Sequence, residues 1–469
     1  MKYFRMVRKI VENGMACPGK TAIIYRQRKG IFSYTYGEVL EKVAAIRSEF
    51  LKKDIHKIGL LGENSPEYIF YSSGMLAAGM DVALLDTGAT EENLKDVIVR
   101  SDLETILCDE ENLELAQEMQ EKIPGLKLLQ YEEVSFSPEM LEDHEKWVEG
   151  EAIFFTSGTS KSSKIVMTPT KSMEGNLLAL RKYRSFQPET IFMNPLPFHH
   201  SFGYTILHAF YLEKCPIFVS SMRTIIKDMK FVNPVNMALV PSAVEHILKK
   251  GGFVSSVKYV VTAGAYLPME LAKIMKDEGL VVQNMYGSSE IPSGFAINLP
   301  EDEVDTLSFH DEMEVEIAPD GEVIIQTEYT LREYYKNPED TAELMVDGKI
   351  HTGDIGFLDD NGKLHLLGRR KNMVIMENGE KVFYTDLDEG LKALPIVNDG
   401  AVIYRDKKII AVLDVKSGVA EEDIKREIHR YNQSQPVSRQ IRGIWNYGGS
   451  LPYTSSGKLK RSQLEKEYK

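Results

Sequence analysis

The sequence has little cysteine. Of its 469 residues only Cys17, Cys108 and Cys215 are cysteines, and they stand far apart without a CxxC pair or a metal-ligand spacing. A small disulfide-stabilised scaffold is therefore excluded. We expect reduced thiols and a cytoplasmic protein.

An excess of basic residues is also absent. The formal net charge is −14 and the sequence pI is about 5.4. Proteins that bind nucleic acids usually carry a basic surface, so no nucleic-acid partner is expected. A small anionic ligand stays compatible with this charge, because a local group of lysines can dominate its own cleft.

Long apolar runs are missing as well. The longest apolar stretch, around Gly74 to Leu85, is interrupted by Asp81 and is too short to cross a bilayer. The basic segment Met1 to Lys9 is not followed by the apolar core of a signal peptide. We therefore predict neither a transmembrane segment nor a secretory leader.

The composition is that of a globular enzyme or binding protein. Hydrophobic residues make up 43% and charged residues 27%, enough to form sizeable cores. The length predicts two to four structural units at about 150 residues each.

Strand-like and helical patterns alternate over the first 300 residues, which predicts α/β layers with mostly parallel sheets. Ser65-Pro66-Glu67 combines an N-cap, an N1 proline and a first-turn acid, and it predicts a helix ending near Gly79. Asp109 to Lys122 has charges at helical spacing and is read as a solvated helix face. The predicted strands are Lys57–Leu61, Val82–Leu85, Thr105–Cys108, Asn236–Val240, Lys258–Thr262 and Val281–Tyr286.

The pattern changes after about residue 310. Turn signals at Pro319-Asp320-Gly321 and at Asp360-Asn361-Gly362 predict two β-hairpins. Strands over 401–404 and 409–415, followed by a helix over 421–431, predict a small α+β domain. The fold class is thus α/β, with a large N-terminal domain over 1–368, including a β-rich region, and a small α+β domain over 369–469.

One segment is suited to a polyphosphate. Thr156 to Lys164 reads T-S-G-T-S-K-S-S-K and follows the apolar run Ala152 to Phe155. Glycine lets the backbone approach an anion, hydroxyls and amides donate hydrogen bonds, and lysines offset charge. It is not a Walker loop, since no Gly-Lys-Ser/Thr follows Gly158 at the required offset.

Four later segments carry polar groups that suit a nucleotide, although each alone has a plainer interpretation. Tyr286 to Glu290 offers a stacking ring and a carboxylate for Mg²⁺, or is a solvated loop. Thr352 to Asp354, placed between strands, offers a ribose acceptor, or is a turn. Gly368-Arg369 offers a guanidinium, or is a surface arginine. Pro452 to Lys458 is a Gly/Ser loop ending in lysine, or a frayed tail.

Adjacent histidines occur in Pro197 to Gly203. Metal binding is not expected there, because neighbouring histidines rarely point the same way and no carboxylate or thiol is spaced to complete a site. A buried histidine or a pocket wall is the better interpretation.

Taken together, these segments resemble the adenylate-forming superfamily of acyl-CoA synthetases, luciferases and nonribosomal-peptide adenylation domains. Thr156 to Lys164 is similar to the family phosphate loop Thr-Ser-Gly-Thr-Thr-Gly-x-Pro-Lys. Tyr286 to Glu290 resembles its Tyr-Gly-x-Thr-Glu, and Thr352 to Asp354 its Thr-Gly-Asp. Gly368-Arg369 looks like its hinge motif, and Pro452 to Lys458 its Pro-x-Thr-x-x-Gly-Lys. The likeness extends over about Lys20 to Arg461.

The resemblance implies that a carboxylate attacks the α-phosphorus of MgATP, releasing pyrophosphate, and that a thiol then takes the acyl group and releases AMP. It implies catalytic roles for Lys458, Glu290 and His200, with Mg²⁺ held by Glu290 and Thr159. The implied ATP-binding residues are Thr156, Ser157, Gly158, Thr159, Lys164, Gly264, Ala265, Tyr286, Gly287, Ser289, Asp354 and Arg369.

The resemblance further implies that the small domain is mobile about a hinge at Lys371 and that it carries a thiol-side surface with Gly379 and Lys381. The thiol belongs to coenzyme A or to the phosphopantetheine of an acyl carrier protein, and the sequence leaves both open. The implied acid pocket lacks a carboxylate, which favours an apolar or aromatic acid over a free amino acid. Its residues are His200, Ser201, Phe202, Gly203, Tyr204 and Val240.

Three positions depart from the family pattern. Lys161 replaces a loop glycine, Ser163 a proline, and Tyr384 a proline of the thioester-forming domain. Two alternatives therefore stay open: a nucleotide-binding relative without catalysis, and an adenylating enzyme with a non-thiol acceptor.

Overall fold

A computed structural model describes residues 6–27, 30–156, 163–187, 189–376, 380–453 and 459–468, with Phe210 described by its backbone alone. The helices are α1 Met6–Ala16, α2 Tyr36–Phe50, α3 Pro66–Ala77, α4 Glu91–Arg100, α5 Leu113–Lys122, α6 Thr170–Ala179, α7 Ser201–Leu212, α8 Ile225–Val232, α9 Pro241–Lys249, α10 Met269–Asp277, α11 Pro338–Leu344, α12 Tyr384–Lys392, α13 Glu421–Gln433 and α14 Arg461–Glu467. Short 3₁₀ turns cover Pro138–Leu141, His144–Lys146, Arg370–Asn372 and Val437–Arg439.

The strands are β1 Thr21–Gln27, β2 Gly30–Thr35, β3 Lys57–Leu61, β4 Asp81–Leu85, β5 Thr105–Cys108, β6 Lys127–Gln130, β7 Glu151–Phe155, β8 Ile165–Pro169, β9 Phe192–Asn194, β10 Ile217–Val219, β11 Asn236–Leu239, β12 Tyr259–Thr262, β13 Val281–Tyr286, β14 Ala296–Asn298, β15 Thr306–Phe309, β16 Glu314–Ile317, β17 Glu322–Gln326, β18 Glu333–Tyr334, β19 Met345–Val346, β20 Lys349–Leu358, β21 Leu364–Arg369, β22 Met373–Ile375, β23 Lys381–Phe383, β24 Val397–Arg405, β25 Lys408–Val415 and β26 Ile441–Asn446.

The predicted α/β class is confirmed, and two sheets carry it. In the larger sheet β13, β12, β11, β9, β10 and β1 form a parallel block. Beyond β13 the sheet continues as an antiparallel run of β14, β15, β21, β20, β17 and β16. This run is the β-rich region that the turn signals predicted.

The second sheet has a parallel block of β7, β4, β3, β5 and β6, and β8 and β18 add antiparallel strands at one side. Apart from a polar first residue in each, its central strands β3, β4 and β5 are apolar and their apolar positions are buried, as expected of parallel strands covered by helices. Every strand predicted between residues 57 and 108 is therefore confirmed.

Local sequence signals set the helix ends. α3 begins after Ser65, whose side chain accepts a hydrogen bond from the Tyr68 amide, and Pro66 occupies the first turn. Because proline lacks the N–H that the first turn leaves unpaired, it fits this position. The predicted start is confirmed. α2 has a capping box between Thr35 and Glu38 that the sequence-based analysis did not use.

The last hundred residues form their own layers. β24 pairs antiparallel with β25, which pairs parallel with β26, and the predicted helix appears as α13. In the part of the chain that the structure describes, the two hydrophobic clusters of this region contain buried residues only from Val374 onward. A separate core after the hinge segment is consistent with the predicted small domain.

One local prediction is wrong. Thr352 to Asp354 was expected between strands, but it lies inside β20, which runs from Lys349 to Leu358. Gly353 has φ +67° and the register with β21 shifts between Ile355 and Gly356, so the strand is irregular there. In the sequence, Gly353 suggested a turn, because glycine adopts a left-handed backbone conformation both in turns and at irregular positions within strands.

No helix among the described residues is long and apolar enough to span a membrane.

A buried glutamate predicts a pH-dependent stability. Glu174 on α6 is 1% exposed, neither of its carboxylate oxygens has a hydrogen-bond partner among the described residues, and burial raises its pKa to about 8. Between about pH 4.5 and 8 the unfolded chain has released a proton that the folded chain keeps. Stability therefore falls as pH rises through this window, by at most about 1.4 kcal/mol per pH unit.

We expect Glu174→Gln to remove this contribution. In urea unfolding, the variant should gain stability relative to the parent protein as the pH is raised from 5 to 8. Glu121→Gln, an exposed change on α5, should leave the pH dependence as it is. A constant difference between Glu174→Gln and the parent across this range would contradict a raised pKa.

Candidate active site

Predicted site residues lie at or just after the carboxyl ends of parallel strands in both sheets. Thr156 follows β7, and His200 lies between β9 and α7. Val240 follows β11, Gly264 lies just beyond β12, and Tyr286 ends β13. Ligands of open α/β sheets bind at this edge. The topology thus brings segments more than a hundred residues apart to one end of the sheets.

The best-defined group joins Tyr286, Asp354 and Arg369. Asp354 on β20 lies opposite Arg369 at the end of β21, and the Asp354 Oδ1 to Arg369 Nε distance is 2.6 Å. The Tyr286 hydroxyl donates to the other oxygen, Asp354 Oδ2. The Asp354 backbone N–H donates to Thr352 Oγ1 at 3.0 Å. A carboxylate held from both sides is preorganised to accept hydrogen bonds from a diol such as a ribose.

The charges of this group are balanced. Burial raises the pKa of the Asp354 carboxyl, while the Arg369 guanidinium opposes that rise. Burial and the Asp354 charge also raise the pKa of Tyr286, so its hydroxyl stays protonated and remains a donor. The Tyr286 ring meets the Phe295 ring edge-on at 4.5 Å, which fixes its orientation.

The ends of the phosphate-loop segment are held together. The Thr156 N–H donates to the Lys164 carbonyl at 3.0 Å, and the Lys164 N–H donates to Thr156 Oγ1 at 3.2 Å. The Lys164 ammonium lies 3.0 Å from Asp340 Oδ2 and 4.4 Å from the centre of the Tyr334 ring. An incoming phosphate would compete with Asp340 for this lysine.

Glu290 is joined to the same tyrosine. Its Oε1 accepts a hydrogen bond from the Tyr334 hydroxyl at 2.6 Å, and its backbone carbonyl accepts from the Leu331 N–H at 2.7 Å. A part-buried carboxylate fits Mg²⁺, which prefers carboxylate, phosphate and water oxygens. Tyr334 therefore links Lys164 to Glu290.

Lys371, the predicted hinge residue, also interacts electrostatically with these charged groups. It is in the 3₁₀ turn directly after Arg369, and burial, assisted by Arg369, lowers the pKa of its ammonium while Asp354 and Glu290 oppose that effect. The Lys371 ammonium therefore lies within electrostatic range of Arg369, Asp354 and Glu290.

Gly287 is required by a close approach. A Cβ at this position would lie 2.6 Å from Gly294 Cα and 2.9 Å from Gly294 N. We expect Gly287→Ala to force the backbone apart, costing about 1–3 kcal/mol of stability and weakening ATP binding. Urea unfolding and nucleotide titration measure both. Ser289→Ala in the same loop is the control for stability, and equal stability of the two variants would contradict the expected clash.

Gly264 and Ala265, predicted to lie along the adenine, form an exposed loop in which Gly264 has φ +82°. A Cβ on Gly264 would be 3.6 Å from the Val240 side chain, so these two predicted residues are neighbours.

The predicted acid-pocket segment forms the start of α7. Ser201 and Phe202 are part-buried, whereas Tyr204 is fully buried with its ring 4.9 Å from His208. Gly203 packs on the preceding turn, where a Cβ would meet the Pro197 carbonyl oxygen at 2.2 Å.

From the sequence, no carboxylate was spaced to complete a site with these histidines. The structure nevertheless brings one to them: Asp86, directly after β4, places Oδ1 3.2 Å from His199 Nε2. The two side chains are more than a hundred residues apart and meet because β4 and β9 end at the same edge. No spacing within the histidine segment could reveal this.

Several predicted residues lie outside the described residues: Ser157, Gly158, Thr159, Gly379 and Lys458. Lys381, predicted on the thiol side, is described at the start of β23, where its ammonium donates to the Asp320 carbonyl.

Tyr334, Asp340 and Asp86 were not predicted from the sequence. Asp340 had a detectable signal, because Asn337-Pro338 predicts a helix start and the Asn337 side chain does cap α11 by accepting from the Asp340 amide. Tyr334 had none, since its role depends on β18 pairing with β8.

The fold and this arrangement define a class: α/β proteins that bind a nucleotide at the carboxyl ends of their strands. Residues 11–335 match the family described as AMP-binding enzyme. This is more than half of the chain, so the protein belongs to the AMP-binding enzyme family, and the prediction of an enzyme from this superfamily is confirmed.

Relatives of similar length agree with this assignment. The 2-succinylbenzoate–CoA ligase of Listeria innocua is 22% identical, and the alignment covers 96% of this chain and 97% of that protein. The o-succinylbenzoate CoA synthetase MenE of Bacillus subtilis, solved with the acyl-adenylate OSB-AMP, has TM-score 0.82 at 17% identity, covering 97% of each chain. The amide bond synthetase McbA of Marinactinospora thermotolerans has TM-score 0.81 at 18% identity, covering 98% of each chain.

Proposed function

We propose that this protein is an acid–thiol ligase that activates a carboxylic acid with ATP. The acid becomes an acyl-adenylate with release of pyrophosphate, and a thiol then displaces AMP. The observation that carries the proposal is the group of Tyr286, Asp354 and Arg369, a charged and oriented acceptor suited to a ribose, close to the carboxylate of Glu290. A nucleotide held there presents its phosphates toward Lys164.

In this proposal each residue has a defined task. Asp354 accepts the ribose hydroxyls while Arg369 and Tyr286 hold its carboxylate in place. Lys164 leaves Asp340 to contact phosphate, and Lys458 neutralises the two anions where carboxylate and α-phosphate meet. Bringing two anions together needs compensating positive charge, so most of the catalysis is electrostatic.

Magnesium fits the same site. Glu290, with Thr159, would hold the ion, and Mg²⁺ would neutralise charge on the phosphates. The Tyr334 hydroxyl on Glu290 Oε1 orients the carboxylate, as a partner of a metal ligand does.

The acid is proposed to be apolar or aromatic. His200, Phe202 and Val240 supply imidazole, aromatic and aliphatic surface. The relative from Listeria innocua is named as a ligase of 2-succinylbenzoate, which is an aryl acid. We propose an aryl acid as the first class to test and coenzyme A as the first thiol. Acyl carrier protein is the other candidate thiol donor.

The test is acid-dependent pyrophosphate release from MgATP across aryl acids, short, medium and long fatty acids, and amino acids. Release with aryl acids, followed by coenzyme A-dependent AMP formation, is the expected result. Adenylate that accumulates with coenzyme A and with carrier protein but is consumed by an amine would contradict the thiol step. ATP binding without release for any acid would contradict catalysis and favour a nucleotide-binding relative.

A further inference from the structure

Three potential metal ligands meet where the two sheets end. Asp86 follows β4, and His199 and His200 immediately precede α7. One ligand atom from each lies within 4.8 Å of the other two. The three side chains are part-buried, so they can be reached from solvent without unfolding.

The spacing is close to that of a metal site. With bonds of about 2.0–2.1 Å, tetrahedral zinc places neighbouring ligand atoms about 3.3 Å apart. His199 Nε2 and Asp86 Oδ1, 3.2 Å apart, already have this separation. Since no pair exceeds 4.8 Å, His200 has to approach the others by at most about 1.5 Å, the difference between 4.8 and 3.3 Å, which side-chain rotation can supply.

The chemistry of the donors selects the kind of ion. Two imidazoles and one carboxylate suit zinc and similar transition metals, whereas magnesium and calcium prefer oxygen ligands alone. The Gly88 N–H donates to Asp86 Oδ1 at 2.8 Å and orients the carboxylate.

We propose that Asp86, His199 and His200 form a binding site for one divalent transition-metal ion, best suited to Zn²⁺. Three protein ligands leave one coordination position for water or another ligand. The site shares no residue with Glu290 and Thr159, which are proposed to hold Mg²⁺.

The site has a consequence for catalysis that rests on the proposed function. His200 is proposed to line the acid pocket, so an ion bound to it takes this side chain away from the acid. Zn²⁺ should therefore slow acid-dependent pyrophosphate release, and a zinc-selective chelator, added with Mg²⁺ in excess, should restore the zinc-free rate.

Binding is tested directly, on tag-free full-length protein without ATP or acid. A chromophoric chelator competing for Zn²⁺ measures stoichiometry and affinity, and Co²⁺ in place of Zn²⁺ reports tetrahedral coordination through its visible absorption. We expect one ion per chain. Asp86→Asn and His200→Gln should each weaken binding by at least about tenfold, since changing even a partner of a ligand costs 10–100-fold.

The matched control is His365→Gln. His365 also lies near a carboxylate, with Nε2 3.6 Å from Asp359 Oδ2, but outside the cluster. It should bind zinc as the parent protein does. Circular dichroism and thermal unfolding establish that each variant is folded, and Asp86→Asn, a conservative change at a side chain 27% exposed, is the variant that should tolerate substitution best.

Two results would overturn the proposal: absence of stoichiometric zinc binding by the parent protein, or unchanged affinity in both Asp86→Asn and His200→Gln. Neither depends on turnover. Failure of zinc-free enzyme to release pyrophosphate would bear on the proposed function, whereas zinc titration of the same sample decides the metal site.

Discussion

Lys458→Ala is expected to lower acid-dependent pyrophosphate release by about 10²–10³, the usual cost of losing one preorganised electrostatic partner. The reason is that carboxylate and α-phosphate are both anions, and the resemblance assigns Lys458 to the point where they meet. Transfer to the thiol does not join two anions in this way. The variant should therefore convert a synthetic acyl-adenylate to the thioester at close to the parent rate.

The two half-reactions are measured separately, so that a loss of adenylation can be distinguished from a loss of thioester formation. Lys460→Ala is the matched control, because Lys460 is two residues away, exposed, and placed just before α14. It should leave both half-reactions unchanged. A parallel loss of both half-reactions in Lys458→Ala would indicate a structural defect, and full retention of the first would remove Lys458 from the mechanism.

Asp354→Asn is expected to weaken ATP binding by about 10–150-fold, because each hydrogen bond to a charged group contributes about 1.5–3 kcal/mol. Asparagine keeps the size of the side chain but removes the charge that Arg369 and the ribose hydroxyls share. The Michaelis constant for ATP should rise more than the rate constant falls, because binding rather than neutralisation of the reacting anions is affected.

The readout is nucleotide titration together with steady-state kinetics. Asp360→Asn, an exposed change in the turn that follows β20, is the control and should bind ATP as the parent does. Thermal unfolding without nucleotide separates a ribose contact from a stability effect, since Arg369 is 46% exposed and can be partly solvated when its partner is lost. An unchanged dissociation constant for ATP would exclude Asp354 from the ribose site.

Local patterns in the sequence were sufficient for much of the fold. The buried strand Lys57–Leu61 and the helix beginning after Ser65 were predicted as observed, because apolar periodicity and capping act within a few residues. The hairpin around Pro319-Asp320-Gly321 was predicted for the same reason. The prediction that Thr352 to Asp354 lies between strands failed, because a glycine indicates left-handed backbone but does not indicate whether a strand continues through it.

Some residues of the candidate site could likewise be predicted from local patterns, and others could not. Candidate residues for the phosphates, the ribose and Mg²⁺ were predicted from short motifs, and the structure brings Tyr286 and Arg369 into contact with Asp354. Two partners were not predicted: Asp340, which pairs with Lys164, and Tyr334, which donates a hydrogen bond to Glu290. Each of these contacts joins segments far apart along the chain.

The sequence by itself determined the class of fold, the family and the residues predicted to bind a nucleotide, since these depend on residue types at short spacing. Only the tertiary structure decided which of those residues touch. It placed Asp86 against His199 because strands of two different sheets end at one edge, and sheet order is set by packing among distant segments rather than by any local run of residues.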